Sequence, residues 1–277
     1  MSDPVVSVVT PVLDAGRDLA DALGSVAAQT FTQWEHVVVD DGSTDGETAR
    51  ILERARTRPG VTVIRTENRG PAAARNLAIE RARGRYVLPL DADDHLAPAF
   101  LAKTVPVLDS QPAIGVVHTW VALVGGHQGV WKTGPFELPA LLARCTVHVT
   151  CLFRRSLWAD VGGFDSRYVE SAEDWDFWIG VAGRGTRAVC VPEVLAYYRR
   201  TARSRERAAR APGVSGKLMR QLAEKHRALY EAHLPDALGL VYDELARVSD
   251  TLERIYAHPA ARLALRLRDA VRKRDEP

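Results

Sequence analysis

The chain has 277 residues, 46% of them hydrophobic and 26% charged, enough for one large α/β domain or two smaller ones with a sizeable core. Its net charge of +2 divides into −3 over residues 1–200 and +5 over residues 201–277, so the main body lacks the basic footprint of a nucleic-acid binder. No run of ~18 apolar residues marks a spanning helix, and three Cys without a CxxC spacing exclude a disulfide framework and point to free thiols in a reducing compartment.

The N-terminus, "MSDPVVSVVTPV", has no basic n-region and enters a strand pattern at once, which argues against a signal peptide and for a cytoplasmic protein. Residues 5–10 form a β-branched run suited to a buried strand. Leu19, Leu23, Val26 and Ala27 then recur with the spacing of one helical face. "HVVVD" (36–40) predicts a second strand. Thr44 and Glu47 have capping-box spacing for a helix that faces inward with Ile51, Leu52 and Ala55. Residues 61–65 give a third strand, Pro71 suits a first helical turn, Leu77 and Ala78 face inward, and Gly84 is a candidate stop. Residues 86–90 give the fourth strand. Strand and helix thus alternate four times, the pattern of a parallel sheet covered on both faces.

After Pro98 the regular alternation ends. "GVVHTWVALVGGHQGVWK" predicts a hairpin-like pair, "HVTCLFRR" a strand, "GGFD" a turn and "SAEDWDFWIGVAGRG" a helix closed by Gly. "RAVCVPEVLAYYRR" predicts two short strands split at Pro192. Beyond Thr201 the pattern is helical, with breaks expected at Pro235 and Pro259.

Ligands of open α/β sheets bind outside the carboxyl ends of the strands. Three such ends carry Thr10-Pro11, Asp40-Asp41 and Asp91-Ala92-Asp93, so convergence on one crevice is expected. "LDADD" drives an apolar strand into three carboxylates, which repel one another unless donors, water or a cation offset them. On an extended segment Asp91 and Asp93 would share one side and could hold a hard divalent cation whose shell substrate phosphates complete. The bland alternative is an Asp-rich turn before a helix. An EF-hand is excluded, because its sixth and twelfth loop positions would be Leu96 and Ala102.

"VVVDDGSTD" places Asp41 after a strand with Gly42 free to make a tight turn. The carboxylate could accept hydrogen bonds from a nucleobase or ribose; alternatively, the stretch is a helix cap by Ser43 or Thr44. In "SAEDWDFW", Trp175 and Trp178 could desolvate Asp174 and raise its pKa toward general-base strength. Against that, Ser171 and Asp174 have capping-box spacing, and acids in a first turn suit the helix dipole without chemistry. Arg75 in "TENRGPAAARN" could face a diphosphate or be an ordinary solvated helix charge. His-built metal sites and the GxSxG, GxxxxGK[ST] and GxGxxG signatures are absent.

Taken in order, "SVVTPVLDAG", "SVAAQTF", "VVVDDGSTD", "ENRGPAAARN", "GRYVLPLDADD", "GGFD" and "EDWDFW" resemble the family-2 nucleotide-sugar glycosyltransferases with the GT-A fold, over residues 5–200. The resemblance implies an α/β fold with a Rossmann-like, mostly parallel sheet flanked by helices. It implies a nucleotide-sugar-binding half (1–105), a mixed acceptor-binding half (106–200) and a helical C-terminal extension (201–277). It further implies inverting transfer from a UDP- or dTDP-sugar to an acceptor hydroxyl, with Mg²⁺ or Mn²⁺ held by Asp93 and Asp91 contacting ribose or metal. Asp41 would recognise the base, Pro11, Leu13 and Asn68 would form its pocket, and Asp14, Arg75 and Ala92 would complete the donor site. Asp174 would be the general base.

Two departures stand out. Leu13-Asp14 replaces the Tyr-Asn frequent after the family's first strand, and "YRRTARS" puts Thr201 where the family often has a His that helps bind metal. Two rivals remain: a metal-dependent nucleotidyltransferase, which gives no reason for the "EDWDFW" helix, and a catalytically silent nucleotide-sugar-binding module. The acceptor could be a glycan, a lipid-linked glycan, a protein or a small natural product. The basic amphipathic stretch "PAARLALRLRDAVRKR" would touch an anionic membrane surface peripherally, or pack on its own domain or a homodimer partner.

Overall fold

The computed structural model describes residues 3–126, 128–168, 171–200 and 213–259. Its first four strands, β1 (Val6–Val12), β2 (Trp34–Asp40), β3 (Val61–Arg65) and β4 (Tyr86–Pro89), alternate with helices α1 (Asp18–Ala27), α2 (Gly46–Arg56) and α3 (Pro71–Arg81). These strands pair in parallel in the order β3-β2-β1-β4. Every residue of β1 is buried. Val9 packs on one face with α3, and Val6 and Val8 on the other, as the two-residue pleat requires. A strand covered on both sides must be apolar throughout, which is why the run read so clearly.

The second half adds β5 (His95–Leu96), α4 (Phe100–Ser110), β6 (Ile114–Gly125), β7 (Gly129–Trp131), α5 (Leu138–Ala143), β8 (Leu152–Arg154), α6 (Arg155–Val161), α7 (Glu173–Ala182) and β9 (Arg187–Arg200). One mixed sheet results, in the order β3-β2-β1-β4-β8-β6-β9-β5, with β7 paired on β6. β8 runs antiparallel to β4 and β6, while β9 runs parallel to β6, so the C-terminal ends of β6 and β9 rejoin the edge where β1, β2 and β4 end. Two tail helices, α8 (Val214–Lys225) and α9 (Arg227–Ala257), follow. Lys225 and His226 at their junction bond Asp176 of α7 at 2.7 and 2.8 Å, and Leu218 and Leu222 join the core, so the tail is anchored on the α7 side. Among the described residues no helix is long and apolar enough to cross a membrane.

Several local expectations are corrected. Asp45, not Thr44, caps α2, accepting the N–H groups of Glu47 and Thr48. Ala22 rather than Ala27 completes the buried face of α1. The strand expected over "HVTCLFRR" is limited to the three residues of β8, and the short α6 was not expected. Pro192 does not split β9. The strand continues while its register with β6 jumps from Thr119↔Val191 to Trp120↔Val194, a bulge that leaves Pro192 without a ladder partner. Pro235 lies inside α9 without ending it, whereas Pro259 follows directly on the helix's extended cap, His258.

Gly84 does not stop α3 either. It lies against β1: a Cβ there would come within 2.6 Å of the Ser7 nitrogen and 2.8 Å of the Val6 carbonyl carbon. Its N–H donates to Ser7 Oγ, which in turn donates to Glu35, so neither chain can retreat. Gly84→Ala is therefore expected to cost about 2 kcal/mol through overpacking. Calorimetry should show the melting temperature falling by roughly 4–8 °C.

Candidate active site

Three loops build the floor of a cleft at the C-terminal edge of β1, β2 and β3. After β1, Asp14 adopts φ 46° and its carboxylate accepts the N–H groups of Thr44 (2.7 Å) and Asp45 (3.0 Å), stitching the first loop to the second. At the end of β2, Asp40 accepts the Ser43 N–H and pairs with Arg65 at 2.7 Å. Gly42 takes φ 90° beside the backbone of Asn68; a Cβ there would lie 3.0 Å from the Asn68 nitrogen. Tight apposition of these loops is why a glycine stands there.

Asp41 is buried, and its two oxygens accept the N–H groups of Arg69 (2.9 Å) and Gly70 (2.8 Å). Burial and the neighbouring Asp40 raise its pKa against those bonds. Each oxygen keeps a free lone pair. A cavity of about 340 Å³ opens beside it, lined in part by Thr66, Arg69, Asn76 and Ser166. Pro11 is buried in β1, Leu13 is 47% exposed and Asn68 is exposed. Ala92 packs inward against the cluster of Val12 and Leu19.

The "LDADD" run is not extended. Asp94 N–H donates to the Asp91 carbonyl at 3.1 Å, closing a turn between β4 and β5. Asp91 and Asp93 are thus brought together by a turn rather than by the pleat. Burial first, and the Asp91 charge second, push the Asp93 carboxyl up to about 6. Asp94 is 2% exposed, and burial followed by the charges of Asp93 and Asp91 raises it well above the usual carboxylate range. One of its oxygens accepts the Arg199 N–H at 2.9 Å; the other has no hydrogen-bond partner and lies 3.6 Å from His148 Nε2.

Across the cleft, α7 opens at Ala172 in the left-handed region (φ 80°) with no side-chain cap, so Ser171 and Asp174 form no capping box. Its first turn presents Glu173, Asp174 and Asp176. Asp174 is half-buried and accepts the Trp175 N–H at 2.8 Å. Desolvation and the adjacent Glu173 charge raise its pKa to about 6, against the opposing pull of Arg75. The Trp175 indole is held by the Leu141 carbonyl, and Trp178 is wholly buried.

Arg75 ties the two sides together. It is 1% exposed, neither solvated nor aimed at open cleft; one Nη donates to Asp91 at 2.5 Å and the other to Glu173 at 2.7 Å. The sequence led to Arg75 and Asp91 separately but missed Glu173, Asp94, His148 and Arg199. Glu173 and Asp94 each stand beside a chosen acid in a run with more carboxylates than roles. His148 and Arg199 carry no spacing that would have found them. Thr201 and most of the basic stretch 259–274 lie outside the described residues.

Asp91, Asp93, Asp94, Glu173 and Asp174 form one electrostatic cluster, because the shifts of Asp93, Asp94 and Asp174 all draw on others of the set. A larger cavity, about 560 Å³, lies between α5, the C-terminal end of α7 and the start of β9, and none of these acids lines it. Chemistry, not size, therefore marks the site.

The profile of "Glycosyl transferase family 2" matches residues 7–154. The PGL/p-HBAD biosynthesis glycosyltransferase of Mycobacterium bovis is 33% identical over 181 residues, which is 64% of this chain and 69% of that protein. The poly(ribitol-phosphate) beta-N-acetylglucosaminyltransferase TarS of Staphylococcus aureus is 30% identical over 252 residues; the match takes in 84% of this chain but only 43% of TarS. The crystal structure of S. aureus TarS 1–349 in complex with UDP-GlcNAc aligns with a TM-score of 0.67 at 26% identity, covering 79% of this chain and 65% of that one. With its sheet order, its acid-rich cleft and the profile match in agreement, the chain belongs to glycosyl transferase family 2 and has the GT-A fold.

Proposed function

We propose that the chain transfers a sugar from a UDP- or dTDP-sugar to an acceptor hydroxyl with inversion at the anomeric carbon. The observation that carries this is a carboxylate of raised pKa, Asp174, opposite the Asp91–Asp94 turn, with one buried arginine bonded to Asp91 and to Glu173 beside Asp174. In the transfer, the acceptor oxygen forms its bond to the anomeric carbon as the bond from that carbon to the diphosphate oxygen breaks. The diphosphate leaves with the electron pair, and the hydroxyl proton passes to Asp174. A pKa near 6 leaves Asp174 ionised at neutral pH yet basic enough to accept that proton. The related TarS structure, which holds UDP-GlcNAc, supports a uridine donor. Asp41, Pro11 and Asn68 would receive the base; Asp14 and Leu13 shape the loop beside it.

The Asp91–Asp94 turn suits a divalent cation, Mg²⁺ or Mn²⁺. Clustered acids raise one another's pKa there, and a buried Asp94 oxygen lacks a partner. Among the described residues no cage of three or more metal-ligating side chains is present. A cation that takes one or two carboxylates and completes its shell with diphosphate needs none. Asp93, with Asp91, would hold the cation, which when bound stabilises the charge of the departing diphosphate.

A panel of UDP-, dTDP- and GDP-sugars, followed for slow donor hydrolysis, tests the reading without knowledge of the acceptor. Consumption of a UDP- or dTDP-sugar supports it; binding without consumption under any acceptor extract would identify a silent module. Asp93→Asn should abolish the enhancement of UDP binding by Mn²⁺ in titration calorimetry, a loss of about tenfold or more in affinity. Equal Mn²⁺ enhancement in that variant would remove Asp93 from the metal site.

A further inference from the structure

The tail carries a feature the transferase chemistry does not use. Along α9, Leu234, Leu238, Val241, Leu245, Val248, Leu252 and Ile255 recur with spacings of four and three throughout. This is the 3.5-residue period of a coiled-coil seam, and Tyr242 and Tyr256, each one residue from it, are exposed as well. It runs ~32 Å at 1.5 Å per residue. The side chains are open: Leu245 is 58% exposed, Val248 48% and Ile255 52%.

The domain beneath does not cover this stripe. Contacts from α9 to its own domain fall on a neighbouring line, where Tyr230 Oη donates to the Leu142 carbonyl, Ala237 is buried and Glu244 reaches Arg144 at 3.7 Å. From Leu245 to the end of α9 every residue is exposed. The apolar side chains of that stretch are left to water unless a partner covers them. A lipid surface fits poorly. The stripe is flanked by Asp236, Asp243, Glu244, Asp250 and Glu253 against only Arg247 and Arg254, whereas helices lying on anionic membranes are rich in Lys and Arg.

We propose that α9 is a self-association element, and that the occupant of its seam is the same helix of a second copy of this chain. A strict heptad stripe is complementary to itself: each knob finds a hole of the same period on the partner. Such a contact would fix two catalytic clefts in one assembly while leaving the acid cluster untouched.

Sedimentation velocity of the full chain at micromolar concentration is expected to give twice the chain mass, with a melting temperature that rises with protein concentration. Leu245→Glu combined with Leu252→Glu places charge in the seam of both copies and should give a monomer that keeps its main thermal transition. Ala246→Glu, one residue off the seam, should remain dimeric. Should the double variant fail to fold, Leu252→Ala alone should raise the dimer dissociation constant tenfold or more. A monomeric wild-type chain overturns the proposal, whether it stays free or binds vesicles of anionic lipid. So does a dimer that survives the double substitution.

Discussion

Asp174→Asn is expected to lower kcat/KM by about a thousandfold while leaving the affinity for UDP unchanged, the middle of the range for a lost general base. Asn has the shape of Asp and retains an oxygen for the Trp175 N–H, so the local fold survives. What it lacks is the capacity to take a proton from the acceptor. The pH profile supplies an independent readout. With a pKa of about 6 in the free enzyme, Asp174 is protonated below that value and cannot accept the hydroxyl proton. Wild-type kcat/KM should therefore rise tenfold per pH unit up to about 6 and level above it. Measured at saturating Mn²⁺, which competes with the proton for Asp93, the Asn variant should lose this limb along with the rate. Normal turnover, or an unchanged acid limb, would place the base elsewhere.

The parallel half of the sheet was legible because burial on both faces leaves strands no choice of composition. Residues 61–65 matched β3 end to end, and residues 36–40 fall within β2. The second half was less so because its strands are short or irregular. β8 needs only three residues between two neighbours, and the β9 bulge lets Pro192 sit in a strand that local rules would break. The acids of the site were visible as types at strand ends, but their partnerships were not. Asp91 and Asp93 meet through a turn that period-two reasoning does not contain. Arg75 and Glu173 are 98 positions apart, and no local pattern announces that one neutralises the other.

That long-range pair sets the second large effect. Removing the guanidinium while keeping its carboxylates, as in Arg75→Met, takes away the 2.7 Å ion pair of Glu173, which stands at 2% exposure beside Asp174. Breaking a buried ion pair in this way costs about 3–5 kcal/mol. The melting temperature should fall by roughly 6–20 °C. Loss of stability alone would say only that Arg75 is buried, so the chemistry must be read as well. Arg75 opposes the rise in the Asp174 pKa. In its absence Asp174 should hold its proton to higher pH, moving the acid limb of kcat/KM above 6 in whatever fraction stays folded. Adding Glu173→Met to Arg75→Met removes the buried carboxylate of the broken pair and should restore much of the stability, since apolar groups often replace a buried ion pair at little cost. Asp91, 26% exposed in its side chain, can be solvated from the cleft. The limb, by contrast, should return to or below its wild-type position, because the repulsion from Glu173 acts on Asp174 more strongly than the attraction of Arg75. A single variant as stable as wild type, with its pH limb in place, would show that the base helix and the acidic turn stand independently of Arg75.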